Sequence, residues 1–352
     1  MEKQISIIIP TYNMEAYIGK CLDSLLIPEF DAVEVLVVND GSKDRSSEIA
    51  HSYADRYPGS IRVIDKPNGN YGSCINAALP LATGRYIKVL DADDTFDTAA
   101  FSSFVRLLPS ISDDAVITPN VTIDESGNII GYFDFRNVDV IINHSYTLSN
   151  ISENSTLAGQ AQMHKLAYRC DIFSHFSYRQ TEGISYTDTE WAIIPFSKCK
   201  TIRFVDLVLY RYLIGRLGQT MSAAQLRNSI AQFFAVGKCL IDFYNEAHSS
   251  ASKRFLHVRI TQYYKFLYLY MLNVWDSEIA EAMKSHDLYL KTKCEDIYQS
   301  INQILLDKIC NYKIIEEIRK SDYPHDFKIP LRVRLKISLF SRFNRFHKKL
   351  CR

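Results

Sequence analysis

The sequence predicts an α/β protein: a mainly parallel sheet with flanking helices, followed by a helical C-terminal region. Three observations carry this reading. Short β-branched runs alternate with amphipathic stretches over residues 1–120, a rhythm that means right-handed crossovers between parallel strands. After Ser222 breakers become rare: Gly237 is the last glycine, and only Pro324 and Pro330 follow. The length, 352 residues, suits two domains.

In chain order, Ile5–Ile9 is a near-continuous apolar run, as expected of a strand covered on both faces. Met14–Leu26 follows as a helix, with Tyr17, Ile18, Cys21, Leu22 and Leu25 at helical spacing. Val33–Val38, Ile61–Ile64, Tyr86–Leu90 and Ala115–Thr118 read as strands two to five. Asp44–Tyr57, Tyr71–Leu81 and Thr95–Leu108 read as the helices between them. Val121–Asp124 and Ile129–Phe135 flank Ser126-Gly127-Asn128, a hairpin signal. Residues 136–160 show no readable pattern. Gln162–Tyr168 and Leu207–Leu213 are expected as strands, with a helix near Thr189–Phe196. The stripe Tyr264, Leu267, Tyr268, Met271 and Trp275 argues a packed helical region. The expected organisation is a first domain over 1–220, a helical domain over 221–328 and a tail over 329–352.

Hydrophobic residues at 47% and charged residues at 23% exclude a disordered chain, a collagen-like chain and a small disulfide scaffold. The 41 Lys+Arg and 40 Asp+Glu balance to +1, so no global basic field points to nucleic acid. The tail breaks the balance. It holds eight Lys/Arg and no acid, and Leu331, Leu335, Leu339, Phe343, Phe346 and Leu350 form one helical stripe. That is the composition of a helix lying on an anionic membrane surface; the alternative is a stripe packed on the helical domain with its charges solvated. The eight Cys are scattered without a CxxC, the pattern of reduced thiols in the cytoplasm. No run approaches ~18 apolar residues, the length of a spanning helix. The expected location is cytoplasmic, peripheral on the inner face of the cytoplasmic membrane.

In an open α/β sheet, ligands bind beyond the carboxyl ends of the strands. Four loops open there: Pro10-Thr11-Tyr12-Asn13, Asn39-Asp40-Gly41-Ser42, Lys66 to Gly72, and Asp91-Ala92-Asp93-Asp94. Three clustered carboxylates repel one another, and a divalent cation is the simplest remedy. The bland alternative is that Asp93 or Asp94 caps the helix after Thr95. Asp40 is either a turn residue in Asp-Gly or a carboxylate that accepts from a nucleobase N–H. There is no GxGxxG after the first strand and no GxxxxGK[ST], which speaks against a dinucleotide dehydrogenase and a P-loop NTPase. The nine His show no metal spacing and read as structural.

SIIIPTYN, VVNDGSKD, NGNYGSCIN and YIKVLDADD, in this order and spacing, resemble the family 2 glycosyltransferases, inverting enzymes of the GT-A (Rossmann-like) fold. The resemblance covers residues 4–215. It implies a glycosyltransferase of hexosyltransferase type, with a nucleotide-diphospho-sugar donor, usually UDP-linked, and Mg²⁺ or Mn²⁺. By that likeness Pro10, Thr11, Tyr12 and Glu15 wrap the nucleoside, Asp40 pairs with the base, and Asn68, Gly72, Asn76, Asp91 and Ala92 complete the donor site. Asp93 would hold the metal, with Asp91 as a second candidate ligand. Family members often carry Arg before the Asn of the third motif, where this chain has Ile75 before Asn76. Lys66 and Lys88 are the available substitutes. The family usually has a Glu-Asp pair whose Asp is the catalytic base. Here Thr187 takes the Glu position and Asp188 the Asp position, with Glu190 as the rival base. Arg216, between Gly215 and Gly218, resembles the segment that closes over the donor and would reach the diphosphate. A glycan or lipid-linked glycan acceptor, as in cell-surface polysaccharide or glycolipid assembly, would give the basic tail a purpose. The competing readings are a nucleotidyltransferase, which usually needs a basic residue that Pro10–Asn13 lacks, and a non-catalytic nucleotide-binding protein at the membrane surface.

Overall fold

The computed structural model describes residues 2–216, 227–303 and 313–328. Its main sheet has eight strands in the order β3-β2-β1-β4-β10-β6-β11-β9. These are β1 Ile5–Thr11, β2 Val33–Asn39, β3 Ile61–Asp65, β4 Tyr86–Val89, β6 Ala115–Ile117, β9 Ser145–Thr147, β10 Leu166–Arg169 and β11 Thr201–Phe204. The half from β3 to β4 is parallel, and β10 runs antiparallel between β4 and β6. Ile5, Ile7, Ile8 and Ile9 are all fully buried, which is why β1 shows no polar alternation. A second sheet has the order β5-β12-β7-β8, from Thr95–Phe96, Tyr210–Leu213, Asn120–Ile123 and Ile129–Phe133.

The helices flanking the strands are α1 Ile18–Asp23, α2 Ser46–Arg56, α3 Asn70–Ala78, α4 Thr98–Leu107, α5 Leu148–Glu153, α6 Ser155–Ala158 and α7 Asp188–Ile193. The expected α/β class and the hairpin at 126–128 are present. Several boundaries differ from expectation. The first helix begins at Ile18 rather than Met14; the Met14 and Glu15 amides donate to Ser46 Oγ (2.6 Å) and Asp44 Oδ2 (3.0 Å). Thr95–Phe96 is a strand against β12, and the following helix is capped by Asp97, which accepts from Ala100 N at 3.0 Å. Asp93 and Asp94 therefore do not serve as its cap. The unreadable stretch 136–160 holds β9, α5 and α6. Gln162–Tyr168 splits into a 3₁₀ turn, Met163–Lys165, and β10.

The chain divides into two compact units: Met1–Ser222 with Ala231–Arg259, and Ala223–Ile230 with Ile260–Arg352. Residues 231–259, which the sequence places with the C-terminal helices, thus group with the sheet. Phe255 stacks on Phe196 at 4.8 Å, and Arg254 pairs with Glu153 at 2.9 Å. The described part of the second unit is mostly helical, and Asp287, 1% exposed, gathers its buried polar groups. Arg319 grips it with Nε at 2.7 Å and a terminal nitrogen at 2.5 Å, and the Tyr268 and Tyr323 hydroxyls donate to it at 2.8 and 2.5 Å. A buried ion pair is tolerable only when its remaining lone pairs are satisfied in this way.

Candidate active site

The ends of β1 to β4 place four polar loops on one rim. The first two interlock. Asn13, with φ +54°, accepts from Lys43 N at 2.7 Å, and Glu15 accepts from Arg45 N at 3.0 Å. Asp40, 2% exposed, organises the third loop. Its Oδ1 accepts from Lys66 Nζ (2.5 Å) and Gly69 N (2.9 Å), and its Oδ2 accepts from Asn70 N (2.9 Å). The turn reading and the ligand reading of Asp40 thus meet in one residue, since it also lines the cavity below.

That cavity, of about 320 Å³, is lined by Pro10, Thr11, Tyr12, Asp40, Asn68, Tyr71, Asp91, Ala92, Asp93, Asp188 and Arg216, together with Met163, His164, Ser185, Tyr186 and Tyr212. Ten of the expected site residues therefore meet in one place. Four do not line it. Glu15 is spent on the Arg45 amide. Gly72 faces Thr181 O, where an added Cβ would sit 2.0 Å away. Asn76 binds Gln180 and Glu182. Glu190 is fully buried and accepts from Thr181 N at 2.8 Å. Neither substitute cation lines the cavity. Lys66 is held by Asp40, Pro67 O and Ser73, and Lys88 donates to His164 O (2.8 Å) and Leu166 O (3.1 Å). Burial lowers Lys88 to about 7. Among the described residues, Arg216 is the guanidinium at the cavity, with Nε 2.5 Å from Asp93 Oδ2.

The acids have distinct surroundings. Burial, then Asp93 and Asp188, push Asp91 up to about 8, against a hydrogen bond from the Tyr71 hydroxyl at 3.1 Å. Asp94 is fully buried and anchors the second sheet through the Tyr210 hydroxyl (2.6 Å) and Leu213 N (2.7 Å). Burial also raises Asp188 above the ordinary carboxylate range. His164, which has no metal-like spacing in the sequence, packs against the rings of Tyr210 and Tyr212, with centroids 4.8 and 4.7 Å away. Burial, with Lys88 and Lys165 nearby, lowers it to about 3, so its imidazole is neutral. Ligand atoms of Asp91, Asp94 and His164 lie within 4.8 Å of one another. Two carboxylates and a neutral imidazole suit a cation such as Mn²⁺.

A larger groove of about 860 Å³ shares Asp93 with this cavity. Besides Asp93 it is lined by four acids, of which three hold local structure: Asp97 caps α4, Asp124 holds its own turn through Asn128, and Asp23 accepts from the Tyr53 hydroxyl, while Glu125 is the fourth. Asp91, Asp93, Asp188 and Arg216 come together in the smaller cavity.

Residues 6–176 match the family model described as glycosyl transferase family 2. The chain is 45% identical over 97 residues to the uncharacterized glycosyltransferase EpsJ of Bacillus subtilis, a match covering 28% of this chain and 28% of that one. It is 35% identical over 127 residues to the chondroitin synthase of Pasteurella multocida, covering 36% of this chain and 13% of that one. Both matches thus span well under two thirds of the relatives' own length. The solved structure of S. aureus TarS 1-349 in complex with UDP-GlcNAc superposes with a TM-score of 0.71 at 20% identity, covering 93% of this chain and 95% of that one. Residues 6–176 are a glycosyl transferase family 2 domain, carried on the GT-A type of α/β fold.

Proposed function

We propose that this chain is an inverting glycosyltransferase that moves a sugar from a UDP-linked donor to an acceptor hydroxyl in the assembly of a cell-surface polysaccharide or glycolipid. The observation that carries the reading is the convergence of Asp91, Asp93, Asp188 and Arg216 on one cavity at the strand ends. Pro10, Thr11, Tyr12, Asp40 and Asn68 offer the nucleoside a wall, and Arg216 offers the diphosphate a forked donor. Asp188 takes the proton of the attacking hydroxyl, and one displacement inverts the anomeric carbon. Asp91 and Asp93 would hold a divalent cation, with His164 in reach; when bound, it supplies positive charge against the departing diphosphate. A nucleotidyltransferase or a mere nucleotide-binding protein has no use for Asp188 beside these groups. Incubation with a panel of UDP-sugars, read as metal-dependent UDP release and the anomeric configuration of the product, tests the proposal. Binding without release would leave only a binding protein.

The raised Asp91 gives the cation site a pH signature. Below about pH 8 Asp91 keeps a proton that a cation must displace. Mn²⁺ affinity should rise with pH by up to about tenfold per unit and level off above about pH 8. The same shift means that Asp91 costs stability as pH climbs from the ordinary carboxylate range towards 8, because the folded state retains a proton the unfolded chain has lost. A Mn²⁺ titration that is flat from pH 6 to pH 9 would exclude Asp91 as a ligand.

The basic stretch 329–352 lies outside the described residues. No described helix is long and apolar enough to cross a membrane. The proposed role of this stretch, holding the enzyme on an anionic bilayer near a lipid-linked acceptor, rests on its composition. The full chain should co-sediment with anionic vesicles at low salt and release at high salt. A chain ending at Lys328 should not bind, and equal sedimentation of the two would retire the idea.

A further inference from the structure

We propose that Gln180 is a positioning residue for Asp188, tying the first turn of α7 to α3; this rests on the reading of Asp188 as the base. The segment 178–187 belongs to no sheet, so side chains must fix it. Asn76, on α3, binds the Gln180 backbone at both polar atoms: its Oδ1 accepts from Gln180 N at 2.8 Å and its Nδ2 donates to Gln180 O at 2.8 Å. The same Nδ2 donates to Glu182 Oε1 at 2.9 Å. One turn earlier, bare Gly72 lets Thr181 O come closer than any Cβ would allow. Gly183 N donates to Gly69 O at 2.9 Å, a further tie just ahead of α3. Gln180 is thereby pinned to α3.

Its side chain then reaches the base. Gln180 is fully buried, and its Nε2 donates to Thr187 O at 2.8 Å and to Thr187 Oγ1 at 2.9 Å. Both amide protons are used, and its Oε1 accepts from the Tyr178 hydroxyl at 3.1 Å. Thr187 immediately precedes Asp188, and its side chain makes no capping bond to α7. Thr187 O also accepts from Glu190 N at 3.0 Å, so Gln180 binds the carbonyl that opens the helix. The rotation of the first turn, and with it the direction of the Asp188 side chain, is set from Gln180. The same α3 carries Tyr71, whose hydroxyl donates to Asp91. One helix thus spaces the donor-side carboxylate from the base. Small misplacements of reacting groups are costly, about 10²-fold for roughly 1 Å.

Gln180→Met removes both donors at nearly constant volume. We expect kcat for metal-dependent UDP release to fall about 10- to 100-fold, while the Kd of UDP with Mn²⁺, measured by calorimetry, stays at the wild-type value. A merely structural residue would move both. Thr187→Val, which replaces the Oγ1 hydroxyl by a methyl and leaves the Thr187 carbonyl in place, should lower kcat in the same direction, and Thr187→Ser should recover most of that loss; this pair keeps the test alive should Gln180→Met fail to fold. The double variant Gln180→Met/Asp188→Asn should turn over no more slowly than Asp188→Asn alone, because residues acting as one unit are not additive. An undiminished Gln180→Met penalty in the Asp188→Asn background, or a UDP Kd weakened in step with kcat, would overturn the proposal. Wild-type turnover by Asp188→Asn would instead overturn the base assignment beneath it.

Discussion

Asp188→Asn should lower sugar transfer by about 10²–10⁴-fold, the usual worth of a general base, while nucleotide binding stays unchanged. The amide keeps the shape of the carboxylate but cannot accept a proton. Burial holds Asp188 above the ordinary carboxylate range in the wild type, so activity should fail on acidification at a higher pH than an exposed Asp would dictate. That acid limb should vanish in the variant. Glu190→Gln is the control. Glu190 accepts from Thr181 N, which an amide oxygen can also do, so the substitution should leave transfer close to wild type. A crippled Glu190→Gln beside an active Asp188→Asn would exchange the two roles.

Asp93→Asn is expected to be comparably severe. It removes a charge from the cavity and with it the ion pair that Arg216 makes with Asp93 at 2.5 Å. Charge stabilisation by a bound cation is worth several kcal/mol, so a loss of about 10³-fold in metal-dependent turnover is the expected scale. Mn²⁺ affinity, followed by electron paramagnetic resonance, should weaken in parallel, and the melting temperature should hold. Turnover at the wild-type rate in saturating Mn²⁺ would mean that Asp91, Asp94 and His164 suffice without Asp93.

The sequence is most legible where local chemistry decides the outcome. β1 and β2 announce themselves because burial on both faces demands unbroken apolar runs, and the loops after them follow from turn chemistry. What local pattern could not show is which polar residues are consumed by distant partners. Asn76 and Gly72 sit inside a donor-site motif, yet they meet a segment about a hundred residues later in the chain. His164 has no metal-like neighbour in sequence; β10, by running antiparallel between β4 and β6, brings it beside Asp91. Thr95–Phe96 looked helical because its strand partner, β12, comes more than a hundred residues later.

The interlocking of the strand-end loops bears on how this site can be re-engineered. Asn13 receives the Lys43 amide, Ser46 receives the Met14 amide, Asn39 donates to Asp65, and Asp40 holds Lys66, Gly69 and Asn70. No one of these loops keeps its shape by itself. A graft that carries only 10–15 from a second protein would separate the Lys43 and Arg45 amides from their present acceptors, Asn13 and Glu15. The unit that shapes this rim is the set 10–15, 39–46 and 65–70, and under the proposed function any preference for a nucleotide should travel only when all three are transplanted together.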